Sequence, residues 1–114
     1  VTEEAEIKIF RCLDFIAKNA KKYAQAKANR IYLEEFRKSK KALLMKQAES
    51  SGHNTVSAQE REAYADEGYR QHLEALRDAV VQEEALRWLM VGAQAKIEVW
   101  RTLESTRRVE AKTI

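Results

Sequence analysis

The sequence predicts an all-α protein: an elongated antiparallel helical hairpin of two long helices with a short helix between them, packed in an oligomer. Three observations carry that expectation. The 114 residues include no proline and only three glycines, so little in the chain interrupts a helix. Ala, Glu, Lys, Arg, Leu and Gln dominate, and 34% of residues are charged, a composition of long helices. Apolar residues recur at three- and four-residue spacing over two long stretches on either side of one turn-rich segment. The length fits a single helical domain: a long basic helix over about 5–49, a turn with a short helix over 50–68, a second long helix over 69–106 and a frayed tail over 107–114.

The first helix opens on Thr2, a suitable N-cap, followed by the acids Glu3, Glu4 and Glu6, which suit the positive end of a helix. Phe10, Leu13 and Ala17 begin an apolar stripe that continues through Ala20, Ala24, Ala28 and Ile31, with positions eleven apart recurring on one side. That period predicts nearly straight or slightly right-handed packing against a partner helix in place of a strict heptad supercoil, and the alanines permit close approach. Ile16, Tyr23, Arg30, Arg37 and Leu44 lie seven apart on a neighbouring line, while Tyr32, Leu33, Phe36 and Leu43 widen the apolar surface. A helix of this kind has more than one helical neighbour. At 1.5 Å per residue it would run roughly 67 Å, so it is expected to project, to pack in an oligomer or to break near Asn19.

Ser50-Ser51-Gly52-His53-Asn54 is the clearest turn composition, with Gly52 suited to the left-handed position after a last helical turn. Ser57 and Glu60 have capping-box spacing and predict a short helix over Ala58 to Ala65, which Asp66-Glu67-Gly68 then breaks. The second long helix carries Leu73, Leu76, Val80, Leu86, Met90, Ala93, Ile97 and Trp100, with Glu74, Asp78, Glu83, Glu84 and Glu98 on its polar side. A short connection folds two such helices back antiparallel.

Charge is distributed unevenly. Between Lys18 and Lys46 stand ten cations and two acids, a local +8 in a chain whose formal net charge is +3. The remainder is −2 over 1–17, −5 over 47–106 and +2 over 107–114. Segregated basic charge attracts polyanions and equally favours an acidic partner surface. Chemistry that would make an enzyme has little to stand on. His53 and His72 fall in no metal-binding helix spacing, Cys12 has no histidine near it in sequence, and there is no glycine-rich phosphate loop. No catalytic residue, metal ligand or cofactor is expected. Cys12 alone cannot form an internal disulfide, so the fold needs no oxidising compartment. No apolar run approaches the roughly 20 residues that span a bilayer and no signal peptide is evident, which predicts a cytoplasmic protein without a membrane partner.

The basic helix interleaves Tyr23, Tyr32 and Phe36 with lysine and arginine, the two residue types that hold a single strand by stacking and by phosphate neutralisation. The competing reading is a helical adaptor or assembly protein, whose basic helix meets the acidic side of another helix or subunit and binds no DNA.

The run Tyr23-Ala24-Gln25-Ala26-Lys27-Ala28-Asn29-Arg30-Ile31-Tyr32, followed by Phe36, the Arg37 to Lys41 patch and Leu43 to Ala48, resembles the basic helix of the UvsY-type recombination mediators of T-even phages. Arg61-Glu62-Ala63-Tyr64, Tyr69, the Leu86-Arg87-Trp88 block and Ala95-Lys96-Ile97 look like the later part of the same family. The resemblance implies a non-enzymatic phage protein, expressed in a bacterial host, that binds single-stranded DNA and assembles into a ring-like homo-oligomer. It further implies that the protein helps load a RecA-like recombinase onto strands coated by single-strand-binding protein. Its DNA contacts would be Lys21, Lys22, Lys27, Arg30, Arg37, Lys38, Lys40 and Lys41, with Tyr23 and Tyr32 for stacking.

Assembly is also expected on physical grounds, because a hairpin two helices thick cannot bury apolar residues on several sides. Trp88, Met90, Ile97, Trp100 and Leu103 are the expected oligomer interface. Each large side chain covered contributes roughly 1.5–3 kcal/mol, and Trp100→Ala with Leu103→Ala should therefore weaken assembly and the multivalent DNA contact that depends on it.

Overall fold

The computed structural model describes residues 2–113 as three helices: α1, Glu3–Ser50; α2, Val56–Ala65; and α3, Glu67–Thr113. Among the described residues there is no strand, and no helix is long and apolar enough to cross a membrane. The chain divides into two units, one built from Val1–Ala24 with Glu84–Ile114 and the other from Gln25–Glu83.

Local chemistry accounts for the helix ends. Thr2 caps α1, its hydroxyl accepting the Ala5 N–H at 3.1 Å. The helix runs through Asn19, whose side-chain amide is satisfied by the Phe15 carbonyl at 2.9 Å and so does not compete with the backbone. At the other end Gly52 takes φ +104° and the His53 N–H returns to the Ala48 carbonyl at 3.0 Å, closing α1 on a left-handed glycine. α2 starts two residues before the expected Ala58. Its cap is Thr55 instead of Ser57, with the Thr55 hydroxyl accepting the Ala58 N–H at 3.1 Å. Glu60, the acid a Ser57 capping box would need, is engaged by Lys41 instead. A single residue, Asp66, separates α2 from α3, and its carboxylate accepts the N–H groups of Gly68 (2.7 Å) and Tyr69 (3.3 Å). α3 extends seven residues beyond the expected end at Thr106. Nothing in Arg107 to Thr113 breaks a helix, and Arg107 pairs with Glu104 one turn back at 3.1 Å.

Within the Gln25–Glu83 unit, α1 and α3 run antiparallel. Arg30 meets Glu83, the Leu33 carbonyl accepts the His72 Nε2 hydrogen at 2.6 Å, and Lys40 comes close to Gly68. The inward positions of α1 are Ala26, Arg30, Leu33, Arg37, Lys40 and Leu44; those of α3 are Tyr69, His72, Leu76, Ala79 and Glu83. In the other unit they are Ala5, Ile9, Cys12, Ile16, Asn19 and Tyr23 facing Leu86, Met90, Ala93, Ile97, Trp100 and Glu104. Every one of these sets alternates steps of three and four and repeats every seven residues, the pattern of a coiled-coil seam.

The seven-residue line is therefore the buried one, and the eleven-residue stripe is not. Leu13 and Ile31 remain 47% and 43% exposed, and Ala17, Ala20, Ala24 and Ala28 are exposed as well. Size decides the outcome: Ile16, Tyr23, Leu44 and the aliphatic stems of Arg30 and Arg37 cover far more surface than a row of methyl groups. The enclosed apolar positions are Ala48, Ala63, Tyr69, Ala79 and Ala93, and no large side chain among the described residues is fully buried.

One polar pair is set into that seam. Arg30 Nε donates to Glu83 Oε2 at 2.6 Å and an Arg30 terminal nitrogen donates to Glu83 Oε1 at 3.0 Å, a two-pronged contact with a carboxylate that is only 5% exposed. Arg30 also holds Glu34 at 2.8 Å, and its pKa is raised further above the usual arginine value by Glu83 first and Glu34 second. Removing one member leaves the other charged and poorly solvated, whereas replacing both by apolar residues removes the desolvation cost with the contact. Glu83→Ala should therefore lower Tm on the order of 10 °C, and Arg30→Met with Glu83→Leu should recover most of that loss in a thermal melt. Equal losses in the single and double variants would show that the pair is not coupled.

Candidate nucleic-acid interface

The two units differ in charge. From residue 25 to 46 the α1 segment carries seven cations and two acids, while 47–83 carries three cations and eight acids, so the Gln25–Glu83 unit has no net charge. Neutralisation there is direct. Besides Arg30 with Glu83, Lys41 donates to Glu60 at 3.1 Å and lies 4.8 Å above the Tyr64 ring. Its ammonium is held above the ordinary lysine pKa by the Tyr64 hydroxyl first and Glu60 second. Tyr64 in turn meets Tyr69 edge-on at 5.5 Å. Lys40 and Arg37 are half-buried, and Lys38, exposed, sits 3.5 Å from Glu35. Four of the predicted DNA contacts, Arg30, Arg37, Lys40 and Lys41, are therefore part of the packing between helices. For Arg30, Arg37 and Lys40 the seven- and three-residue spacing from one another, not their charge, was the signal for that role. Lys27 stays exposed with no ion pair to any described residue. Tyr32 is 62% exposed and stacked on Phe36 at 5.8 Å with the rings 11° from parallel, while Tyr23 is half-buried on the seam.

The Val1–Ala24/Glu84–Ile114 unit carries eleven cations against eight acids and hence the whole formal charge of +3. Lys21 and Lys22 are exposed and pair with no described acid. The same holds for Arg11 and Lys96, which lie outside the basic stretch. Lys18 is engaged by Asp14 at 2.8 Å, a contact that raises its pKa through the hydrogen bond first.

In this unit a cleft of about 660 Å³ opens between the two helices, with Phe15, Trp88, Leu89 and Gly92 among its walls and Lys8, Arg11 and Lys96 at its edge. The sequence held a signal for it. Lys8, Arg11 and Phe15 follow one another at steps of three and four, and Trp88, Gly92 and Lys96 at steps of four, so each trio shares one helix face.

The expected oligomer residues separate into two groups. Trp88 and Leu103 are 60% and 57% exposed, but Met90, Ile97 and Trp100 are half-buried on the inward face of α3, with the Trp100 indole nitrogen itself enclosed. Their large side chains are used within the chain, because they fall on the seven-residue line that packs against α1. Trp100→Ala is consequently a change to the packing inside this unit as much as to any outer surface.

No family model, curated protein or solved structure matches the chain.

Proposed function

We propose that the protein binds single-stranded DNA and acts as a non-enzymatic recombination mediator of a phage in the bacterial cytoplasm, helping to load a RecA-like recombinase onto strands coated by single-strand-binding protein. The observation that carries the DNA-binding part is the division of charge. One unit is neutral because α2 and α3 complement the basic face of α1, and the other retains the entire +3 on exposed lysines and arginines without acidic partners. The adaptor reading requires an acidic surface for the basic helix, and Glu60 and Glu83 of the same chain already supply it. Unpaired cations exchange their counterions for phosphates, and binding then weakens steeply with salt. The mediator role itself rests on the family resemblance in the helical segments.

The contacts with the strand are the exposed Lys21 and Lys22 of the charged unit. Arg30 and Lys41 serve the fold. Fluorescence anisotropy with an oligothymidylate should show affinity falling as salt rises. Lys21→Glu with Lys22→Glu should weaken binding more than about tenfold at low salt and flatten the salt slope, while Lys41→Gln should alter thermal stability more than affinity. Absence of binding at low salt overturns the reading.

Self-association belongs to the same proposal. Phe10, Leu13, Ala17, Ala20 and Ala24 form an exposed stripe at three- and four-residue spacing on α1, each one residue past an inward position and so flanking the chain's own seam. A second copy laid on it would multiply phosphate contacts along one strand. Ala17→Gln with Ala24→Gln adds bulk at exposed positions outside the inward line, and should lower the sedimenting mass with helicity unchanged. A wild-type chain that sediments as a folded monomer at micromolar concentration excludes this part.

A further inference from the structure

The cleft in the Val1–Ala24/Glu84–Ile114 unit is outside the contacts assigned above, and its composition differs from theirs. We infer that it receives one nucleobase of the bound strand, stacked on Trp88, while Arg11 and Lys96 hold the phosphates on either side of that base. This rests on the single-stranded DNA reading and adds to it a specific receptor away from the basic stretch.

Four observations lead there. Trp88 is 60% exposed although it is the largest kind of side chain, and the Arg87 guanidinium lies 4.5 Å from its ring centroid. Arg87 is itself held by Glu84 at 3.1 Å, so a tethered group covers part of the indole, which still lines the cleft with more than half of its surface exposed. Second, the volume of about 660 Å³ is of the size that takes a small molecule or one unit of a polymer. Third, Arg11 and Lys96 are exposed without ion pairs to described residues, and Lys8 touches Glu4 only at 3.9 Å. Two unpaired cations beside an aromatic wall are the combination that grips a base and its phosphates together.

The fourth observation is Gly92. Glycine in a helix interior weakens the helix, and here it is in the middle of a 47-residue one. A Cβ built on it meets nothing within 4 Å, so packing inside the chain does not require its small size. What the missing side chain does is leave the wall of the cleft open. An apolar side chain from a second copy would fill the same space, but that side chain would not itself pair with Arg11 or Lys96. A polyanion satisfies the aromatic wall and the cations at once.

The test uses the full chain carrying Trp100→Phe, which leaves Trp88 as the single tryptophan. Oligothymidylate is titrated at low salt while Trp88 emission and the anisotropy of the labelled strand are read together. The expected result is quenching of Trp88 with the same midpoint as the anisotropy rise. Gly92→Leu, which fills the cleft and favours the helix, should weaken binding about tenfold, the loss of one stacked base, and Gly92→Ala should change it little. If Trp100→Phe lowers helicity, the same quenching is read as the difference between the wild-type chain and Trp88→Leu. A strand that binds without moving Trp88 emission and without sensitivity to Gly92→Leu overturns this inference and leaves the DNA reading standing. A strand that does not bind at all overturns the DNA reading and this inference with it. A change in sedimenting mass for Gly92→Leu at unaltered DNA affinity assigns the cleft to a second copy and overturns the inference as well.

Discussion

The contact between Arg30 and Glu83 fixes how α1 and α3 are matched in the Gln25–Glu83 unit. The inward positions of that seam mix small and large side chains, Ala26 and Ala79 among Leu33, Leu44, Tyr69 and Leu76, and none of the large ones is fully buried, so shape alone resists sliding by a turn only weakly. A two-pronged arginine–carboxylate contact resists sliding, since a shift of one heptad strands Arg30 in a poorly solvated place in either direction, even though one direction would bring Arg37 opposite Glu83. The weaker polar contacts agree with the same alignment. His72 reaches the Leu33 carbonyl, and Lys41 reaches Glu60 on α2, so three contacts on different turns of α1 specify one pairing.

The alignment also explains why the basic stretch looked like a binding surface from its composition. A cation at an inward heptad position and a cation on the outside of the helix read identically as letters, and only the partner helix separates them. Arg30 and Arg37 stand on the line through Ile16, Tyr23 and Leu44, which the sequence displayed but which the longer alanine stripe outweighed. The helices themselves were legible, because the absence of proline and the capping residues Thr2, Gly52 and Asp66 act locally. The choice of Thr55 over Ser57 was not, since it depends on Glu60 being drawn away by Lys41, nineteen residues earlier. Nor was the cleft, whose walls come from opposite ends of the chain, although each wall shows its own helical spacing.

Seen together, the two units divide the work of one basic helix. In the first of its halves to meet α2 and α3, positive charge is consumed in holding the hairpin together. In the other, the same number of acids on α3 is spread over a longer stretch and α2 adds none, so Arg11, Lys21, Lys22 and Lys96 stay in solvent and Trp88 stays 60% exposed. A protein that presents charge to a polyanion must leave that charge unsatisfied in its own fold, at the cost of some like-charge repulsion.

The division between the units also has a consequence for the order of folding. Gln25–Glu83 is contiguous in sequence, whereas the other unit joins residues from both ends of the chain. Bringing those ends together from an unfolded chain means closing a long loop, and the entropy of that closure is largest when the loop is disordered. Once the contiguous unit has formed, the two distant segments emerge from adjacent helices and the closure becomes local. Helix pairing should thus propagate from the Asp66 junction toward the termini. The unit that carries the net positive charge is then the last to zip and the first to open, so its exposed cations and its cleft lie in the part of the protein with the lowest cost of local rearrangement.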